Sequence, residues 1–196
     1  MAHPNQQKLY LIGWKQNIGK QQKQPLTDAT YPKTQMKKIA KIIAIVLITL
    51  PILLLIAGQA GLLHGKRPAD LGAPNHVLKA PGATSENVVS SQAAQHPHTD
   101  YHLIAPLKFS GDPVAAFGRL QKVVVDSEGA AIITVQPDYL YAEFQSKILK
   151  FVDDVEFVMD APKGEIHMRS ASRLGRKDFG ANRARLEKIR AAFEKN

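Results

Sequence analysis

Residues 151–171 read FVDDVEFVMDAPKGEIHMRSA, and this stretch decides the fold of the chain. Residues 151–160 and 165–171 lie on either side of a short turn sequence, and we interpret them as two β-strands. The intervening APKG contains the proline and glycine that favour a tight turn between antiparallel strands. The stretch therefore predicts a β-hairpin.

The register of this hairpin follows from the position of the turn. If Pro162 occupies the first central position, Phe157 lies opposite Met168 on one face, and Glu156 lies opposite Arg169 on the other. Apolar side chains then meet apolar ones, and an acid meets a base. We therefore expect one buried face and one polar face in this part of the sheet.

The flanking residues extend the hairpin into an α+β domain. In chain order they predict a helix over 114–125 capped by Asp112, strands over 129–135 and 139–146, the hairpin itself, and a last helix capped by Asp178 with Leu186, Ile189 and Phe193 on its buried side. Consecutive strands joined by short turns pair as antiparallel neighbours. The expected fold is a single small domain, an antiparallel four-stranded sheet with two packing helices.

An uncharged apolar stretch, residues 42–63, precedes this domain. A helix of this length covers about 33 Å, which is enough to cross the hydrocarbon core of a bilayer. Pro51 in its middle is tolerated in lipid. We predict a transmembrane helix over 39–63. A signal peptide cleaved near Gly61 is the alternative, although the leader before the apolar stretch is longer than that of a usual signal.

Lysine distribution indicates the orientation of this helix. Residues 1–41 contain eight lysines and one acidic residue, which account for most of the net charge of +9. The rest of the chain is nearly neutral, so we expect no nucleic-acid binding. Lysine-rich flanks stay in the cytoplasm. We predict a disordered basic cytoplasmic tail over 1–38, a linker over 64–100, and a domain over 101–196 on the opposite (periplasmic, luminal or extracellular) side.

Charge is also distributed unevenly within the domain. Residues 126–165 contain nine acids and three bases, whereas residues 169–196 contain nine bases and three acids. Mutual neutralisation of the two halves is one interpretation, and a surface that binds a small anionic ligand is the other. The hypothetical ligand-binding residues are Glu143, Asp154, Glu156, His167, Arg169, Arg173 and Arg183.

Metal and cofactor chemistry has little support in the sequence. The chain contains no cysteine, which excludes disulfides, thiolate metal sites and cysteine nucleophiles. His96, His98, Asp100 and His102 are possible metal ligands, but Pro97 interrupts them and no second cluster completes a site. We therefore predict no metal site and no cofactor.

Several blocks of the chain resemble one family. They are NVVSSQ (87–92), HLIAPLKFSGD (102–112), YAEFQSKILKFVDDVEF (141–157) and IHMRSASRLGRKDFGANRARLEKIR (166–190). In this order they resemble the domain of unknown function 1499 family, over roughly residues 85–193. The resemblance implies a shared domain without an established activity, and it supplies no catalytic residue. Asn87 stands where relatives often have cysteine.

Two functions are compatible with these features. A membrane-tethered module that binds an envelope protein or a small anion, or that has a structural role, is favoured because no nucleophile–base pair, phosphate loop or metal spacing is present. The alternative is a hydrolase-like or other acid–base enzyme. Its candidate residues are Glu143, Asp153, Asp154, Glu156, His167 and Arg169.

Overall fold

The computed structural model describes residues 32–195. The chain divides into two compact units, Met1–Ile48 and Thr49–Asn196. Helix α1, Lys33–Gln59, begins in the first unit, and its apolar side chains are exposed. The predicted tail over 1–38 lies outside the described residues except for its last positions, which belong to α1.

Helix α1 ends at Gln59, before the end predicted from the apolar stretch. The Gly61 N–H donates to the Gly58 carbonyl oxygen, and the Leu62 N–H donates to the Ala57 carbonyl oxygen, both at 3.0 Å. These two hydrogen bonds form a Schellman motif, which requires a left-handed residue after the helix. Gly61 takes that conformation, with φ 77°. Backbone geometry therefore ends the helix although the sequence remains apolar.

A six-stranded antiparallel sheet forms the centre of the second unit. Its strands are β1 Val88–Ser90, β2 Leu107–Lys108, β3 Ala130–Val135, β4 Tyr139–Gln145, β5 Val152–Asp160 and β6 Glu165–Ser172. The strand order is β1-β6-β5-β4-β3, and β2 also pairs with β6. The predicted count of four strands is wrong, because β1 and β2 are too short to give a recognisable alternation.

The predicted hairpin register is confirmed. Phe157 pairs with Met168, and Glu156 pairs with Arg169, as antiparallel neighbours in β5 and β6. Gly164 closes the turn between the strands at φ 63°. This left-handed conformation favours glycine, which has no Cβ to oppose it.

Helices α2, Pro113–Val125, and α3, Ala181–Lys195, pack on one face of the sheet. The Asp112 carboxylate accepts two backbone hydrogen bonds at 3.2 Å from the first turn of α2. The Asp178 carboxylate accepts two at 2.9 Å around the start of α3. Both carboxylates therefore cap helices as predicted, because they satisfy amides that have no partner within the helix.

These helices and the sheet share one hydrophobic core. It includes Phe117, Leu120 and Val124 of α2, Leu186, Ile189 and Phe193 of α3, and Leu140, Phe144, Phe157 and Met168 of the strands. Burial of a large apolar side chain contributes about 1.5–3 kcal/mol. The helix-facing side of the sheet therefore has the apolar alternation predicted for it.

Residues 64–100, predicted as an extended linker, instead pack against the sheet. Leu78 is only 1% exposed and contacts Tyr139, Tyr141 and Val158 on the face opposite the helices. Strand β1 also belongs to this segment. The proline and glycine content of the segment disfavours long regular elements, but it does not prevent the burial of single apolar side chains.

Replacing Gly129 with alanine is expected to destabilise the domain. Gly129 has φ 77°, and a Cβ at this position would lie 2.4 Å from the Gln145 carbonyl oxygen. The clash can be relieved only by moving backbone. Chemical denaturation of the full-length protein in detergent should show a free energy of unfolding lower by about 1–3 kcal/mol.

Gly118→Ala is the matched control. Gly118 lies inside α2, and no atom lies within 4 Å of the position that a Cβ would take. Alanine should therefore raise the free energy of unfolding by about 0.5–1 kcal/mol. Equal effects of the two substitutions would contradict the geometry of the turn at Gly129.

Candidate functional site

A group of charged residues and tyrosines lies on the sheet face opposite α2 and α3. Alternate residues of a strand point to the same face, so polar positions of adjacent strands lie side by side. Glu143 pairs with Asp154, and Glu156 lies between Tyr141 and Arg169. We call this group the polar sheet face, and its members are Tyr139, Tyr141, Glu143, Asp154, Glu156, Arg169 and Arg173.

Glu156 and Arg169 form a buried ion pair at its centre. Glu156 is 0% exposed and Arg169 is 4% exposed. The Arg169 Nη1 donates to Glu156 Oε2 at 3.0 Å. The other oxygen, Oε1, accepts hydrogen bonds from the Tyr139 hydroxyl and the Gly72 N–H, both at 2.8 Å. Both carboxylate oxygens are thus paired, whereas the buried Arg169 Nε has no hydrogen-bond partner among the described residues.

Arg173 joins the two remaining carboxylates. Its Nη2 donates to Asp154 Oδ1 at 2.7 Å and also contacts Glu143. Its Nε lies 3.1 Å from both oxygens of Asp154. The Tyr141 hydroxyl donates to Asp154 Oδ1 at 2.6 Å and accepts from Arg173 Nη2 at 3.0 Å. Charge-assisted hydrogen bonds in this planar arrangement are stronger than neutral ones, so the cluster is fixed in geometry.

These contacts shift the pKa values of Glu143 and of the two tyrosines. Partial burial acts to raise the pKa of Glu143, but hydrogen bonds from Arg173 and Arg67 outweigh burial, and the pKa lies below its usual value. Burial, together with the neighbouring carboxylates, raises the pKa of Tyr139 and of Tyr141. Glu143 is therefore ionised, and the two tyrosines are neutral, at pH 7.

Residues 64–79, which we call the cover segment, lie over this face. The Arg67 Nε donates to Glu143 Oε1 at 2.7 Å, and the guanidinium carbon lies 5.6 Å from the centre of the Tyr141 ring. Leu71 packs against the apolar side chains at the edge of the face. The Arg67 side chain is half exposed, so its ion pair contributes at most about 1 kcal/mol. The cover segment thus adds hydrogen bonds and apolar contacts to the cluster.

A groove of about 580 Å³ remains between the cover segment and strands β3 and β4. Its lining includes Arg67, Leu71, Ile133, Tyr139, Tyr141 and Val158. Asp154 and Glu156 are not among the described residues that line the groove. The carboxylates of the polar sheet face are therefore occupied by other residues of the chain and do not line the groove.

Five of the predicted ligand-binding residues meet on the polar sheet face, His167 lies on the same side of the sheet without joining their ion pairs, and Arg183 lies elsewhere. His167 lies towards the β2 end of β6, with its Nδ1 at 3.2 Å from the Ser91 hydroxyl, and burial lowers its pKa. The Arg183 guanidinium donates to the carbonyl oxygens of Tyr101 and Leu103 at 2.9 and 2.8 Å. Arg183, which was predicted together with these residues, therefore does not join the polar sheet face, because α3 packs on the other face of the sheet.

Sequence reasoning missed Arg67, Tyr139 and Tyr141 as members or partners of the cluster. The two tyrosines alternate with buried Leu140, so the period-2 pattern contains the signal that assigns them to the polar side. Arg67 gives no such signal, since it lies 76 positions before Glu143 in a segment without periodicity. Its pairing is a product of tertiary structure alone.

His102, one of the histidines considered as a metal ligand, stabilises a turn. It is fully buried, its Nδ1 accepts a hydrogen bond from the Thr99 N–H at 3.0 Å, and its Nε2 lies 2.7 Å from the Ser85 carbonyl oxygen. Nε2 therefore carries the proton and donates a hydrogen bond to the Ser85 carbonyl oxygen. Both ring nitrogens are used by the backbone, which leaves none for a metal ion.

Comparison with known proteins identifies one family. A family model described as "Protein of unknown function (DUF1499)" matches residues 78–193, more than half of the chain. The match begins at the buried end of the cover segment and ends within α3, so it includes the whole sheet and excludes α1. No curated protein and no solved structure matches the chain significantly.

Replacing Arg173 with methionine should destabilise the domain strongly. Methionine keeps much of the side-chain length but leaves Asp154 and Glu143 without their shared cation, and removal of one partner from a buried pair costs about 3–5 kcal/mol. The Arg173 side chain is 5% exposed. The free energy of unfolding, measured by chemical denaturation, should fall by this amount.

Arg176→Met is the control for the loss of an arginine nearby. Arg176 is exposed and makes one long hydrogen bond, 3.3 Å, to the Thr84 hydroxyl. Its replacement should change the free energy of unfolding by less than about 0.5 kcal/mol. A comparable loss in both variants would argue against a specific role of the Arg173 cluster.

Proposed function

The chain belongs to the DUF1499 family of proteins of unknown function, and we propose that it is a single-pass membrane protein whose folded domain is a binding or structural module of the cell envelope. The proposal combines an apolar helix, a domain joined closely to it, and a charged cluster that is already paired internally. Each of these features supports a different part of it.

Helix α1 supports the membrane anchor. It is long and apolar enough to cross a bilayer by length and composition. Its charged residues are lysines in the N-terminal part, Lys33, Lys37, Lys38 and Lys41. Because lysine-rich flanks are retained in the cytoplasm, the N-terminus would be cytoplasmic and the domain would lie on the opposite side.

The connection between α1 and the domain carries the proposal. The Gln59 Nε2 donates to the Ile148 carbonyl oxygen at 3.2 Å. Gly58 packs so closely on the next residue of that loop that a Cβ would lie 2.5 Å from the Leu149 carbonyl oxygen. The cover segment then continues over the polar sheet face. The end of α1 therefore contacts the domain directly, which suits a module that acts at a membrane surface.

Internal pairing of the carboxylates favours a module over an acid–base enzyme. A general acid or base needs access to its substrate and a pKa near the working pH. Asp154 is bound by Arg173, Glu156 is bound by Arg169, and the pKa of Glu143 is lowered. These carboxylates are therefore better suited to internal pairing, and in the case of Glu143 and Glu156 to holding the cover segment, than to transferring protons.

A second candidate function is the binding of a small carboxylate at Arg169. The observation that favours it is the buried Nε of Arg169, which lacks a hydrogen-bond partner among the described residues. A buried donor without a partner costs about 1–3 kcal/mol, and a carboxylate that accepts from both Nε and Nη2 would remove that cost. Such a ligand would have to displace part of the cover segment.

The membrane anchor predicts that the full-length chain resists alkaline carbonate extraction. The double variant Ile48→Arg/Leu53→Arg should move the chain to the supernatant, because each arginine near the helix centre costs about 2.5–3.5 kcal/mol on insertion. Leu62→Arg should leave the chain in the pellet, since Leu62 lies beyond the end of α1.

Cysteine labelling tests the orientation of α1 in the membrane. The chain lacks cysteine, so Gln6→Cys and Ser110→Cys each introduce a single thiol. On intact cells an impermeant maleimide should label the cysteine at position 110 and leave the one at position 6 unlabelled.

Release of the intact wild-type chain by carbonate, or a mature N-terminus near Gly61, would rule out the anchor.

Binding of a small carboxylate at Arg169, the second candidate function, predicts that succinate raises the melting temperature of the wild-type protein at constant ionic strength. Arg169→Lys should abolish the rise, because lysine keeps the charge but lacks the planar pair of donors. Arg183→Lys is the control and should keep it. No stabilisation of the wild type, or the same rise in both variants, would exclude a carboxylate site at Arg169.

A further inference from the structure

A second cluster of charge surrounds a pocket at the end of the sheet where β4 turns into β5. The pocket has a volume of about 530 Å³ and lies between the α2–β3 turn, the β4–β5 loop (146–151) and α3. We call it the basic pocket. Its charged lining residues are Glu128, Lys147, Lys150, Arg185 and Lys188.

Two of these lysines lack a neutralising partner in the part of the chain that the structure describes. Among the described residues, no carboxylate lies within salt-bridge distance of Lys150 or Lys188. Lys147 lies 3.8 Å from Glu128, and both side chains are largely exposed. An ion pair of this kind contributes little and is easily exchanged for another partner. The basic pocket therefore has an excess of positive charge.

Arg185 provides a fixed wall for this pocket. Its Nη1 donates to the Ser170 hydroxyl at 2.8 Å and to Asn182 Oδ1 at 2.7 Å. The guanidinium is also paired with Asp153 and lies 5.0 Å from the centre of the Phe144 ring. Because these contacts fix the side chain, the wall of the pocket does not need to be ordered by a ligand.

Exposed apolar side chains accompany the lysines on the β4–β5 loop. Ile148 is 64% exposed and Phe151 is 37% exposed. The same loop accepts the hydrogen bond from Gln59 at the end of α1, and Leu62 beyond the helix is 74% exposed. Apolar side chains next to lysines are typical of surfaces that meet a bilayer, where the ammonium groups reach the headgroups and the apolar groups enter the interface.

We propose that the basic pocket binds the phosphate of an anionic lipid headgroup, held by Lys150 and Lys188 with Lys147 at the rim. The inference rests on the proposed membrane anchor, since α1 is the element that brings the β4–β5 loop to the bilayer surface. Lysine suits this role because its compact ammonium group binds phosphate oxygens as a point charge. A soluble phosphate ester presents the same chemistry, so the two sources are tested separately.

The test measures lipid binding by the full-length protein in a non-ionic detergent. Phosphatidylglycerol or phosphatidylcholine is titrated into the protein, and bound lipid is counted by native mass spectrometry. The wild type should bind phosphatidylglycerol in preference to phosphatidylcholine. In Lys150→Gln/Lys188→Gln the apparent Kd for phosphatidylglycerol should rise at least about tenfold, because two charge-assisted contacts are lost.

The matched control is Lys108→Gln/Lys122→Gln. It removes the same charge from two exposed lysines that do not line the basic pocket. Its affinity for phosphatidylglycerol should equal that of the wild type. An equal loss in the control, or equal affinity for the two lipids, would overturn the site. Glycerol 3-phosphate or inorganic phosphate binding as tightly as phosphatidylglycerol would overturn its assignment to lipid.

Failure of the anchor and failure of the basic pocket give different results. If the anchor is wrong, carbonate releases the wild-type chain. If the pocket is wrong, the chain stays in the membrane while Lys150→Gln/Lys188→Gln binds phosphatidylglycerol as the wild type does. The two substitutions lie at exposed or half-buried positions, so loss of folding is not expected to obscure the result.

Discussion

Desolvation of Glu156 is the constraint on which one whole face of the sheet depends. A carboxylate that is 0% exposed costs several kcal/mol unless both of its oxygens are paired. The pairing groups are the Arg169 guanidinium, the Tyr139 hydroxyl and the Gly72 N–H. They come from β6, β4 and the cover segment. Glu156 can therefore be buried at low cost only when the hairpin, its neighbouring strand and the cover segment are all in place.

The two faces of the sheet consequently contribute to the stability and register of the domain in different ways. The helix-facing side is an ordinary apolar core, which tolerates changes of shape if volume is kept. The polar sheet face tolerates much less, because loss of one partner leaves a buried charge. It also opposes a slip of the strands: a shift by one residue would turn Glu156 and Asp154 into the apolar core and bring Phe157 out. Charge pairing here fixes the register more than it adds stability.

The sequence was sufficient to predict elements that a local repeating pattern determines. It was insufficient to predict contacts between residues that are far apart in the chain. The hairpin register, the alternation of β4 and both helix caps were predicted, because periodicity and capping act within a few residues. Strands β1 and β2 were missed, since two or three residues give no period. The cover segment was taken for a linker because its binding groups, the Gly72 N–H above all, have no side-chain signature. Arg183 was misplaced because the charge pattern did not specify which face its helix covers.

Arginine and lysine are used differently in the domain, and this difference connects its architecture to its proposed role. Arg169, Arg173 and Arg185 pair with carboxylates of the domain, where a planar group with several donors can satisfy more than one acceptor. Lys150 and Lys188, strongly hydrated point charges on flexible stems, have no such partners among residues 32–195. Internal neutralisation of the arginines therefore explains why the acidic and basic halves of the sequence produce a stable paired face. The lysines of the basic pocket are not neutralised in this way. In the proposed site, a headgroup would therefore compete with only one ion pair of these lysines among the described residues, the weak contact between Lys147 and Glu128.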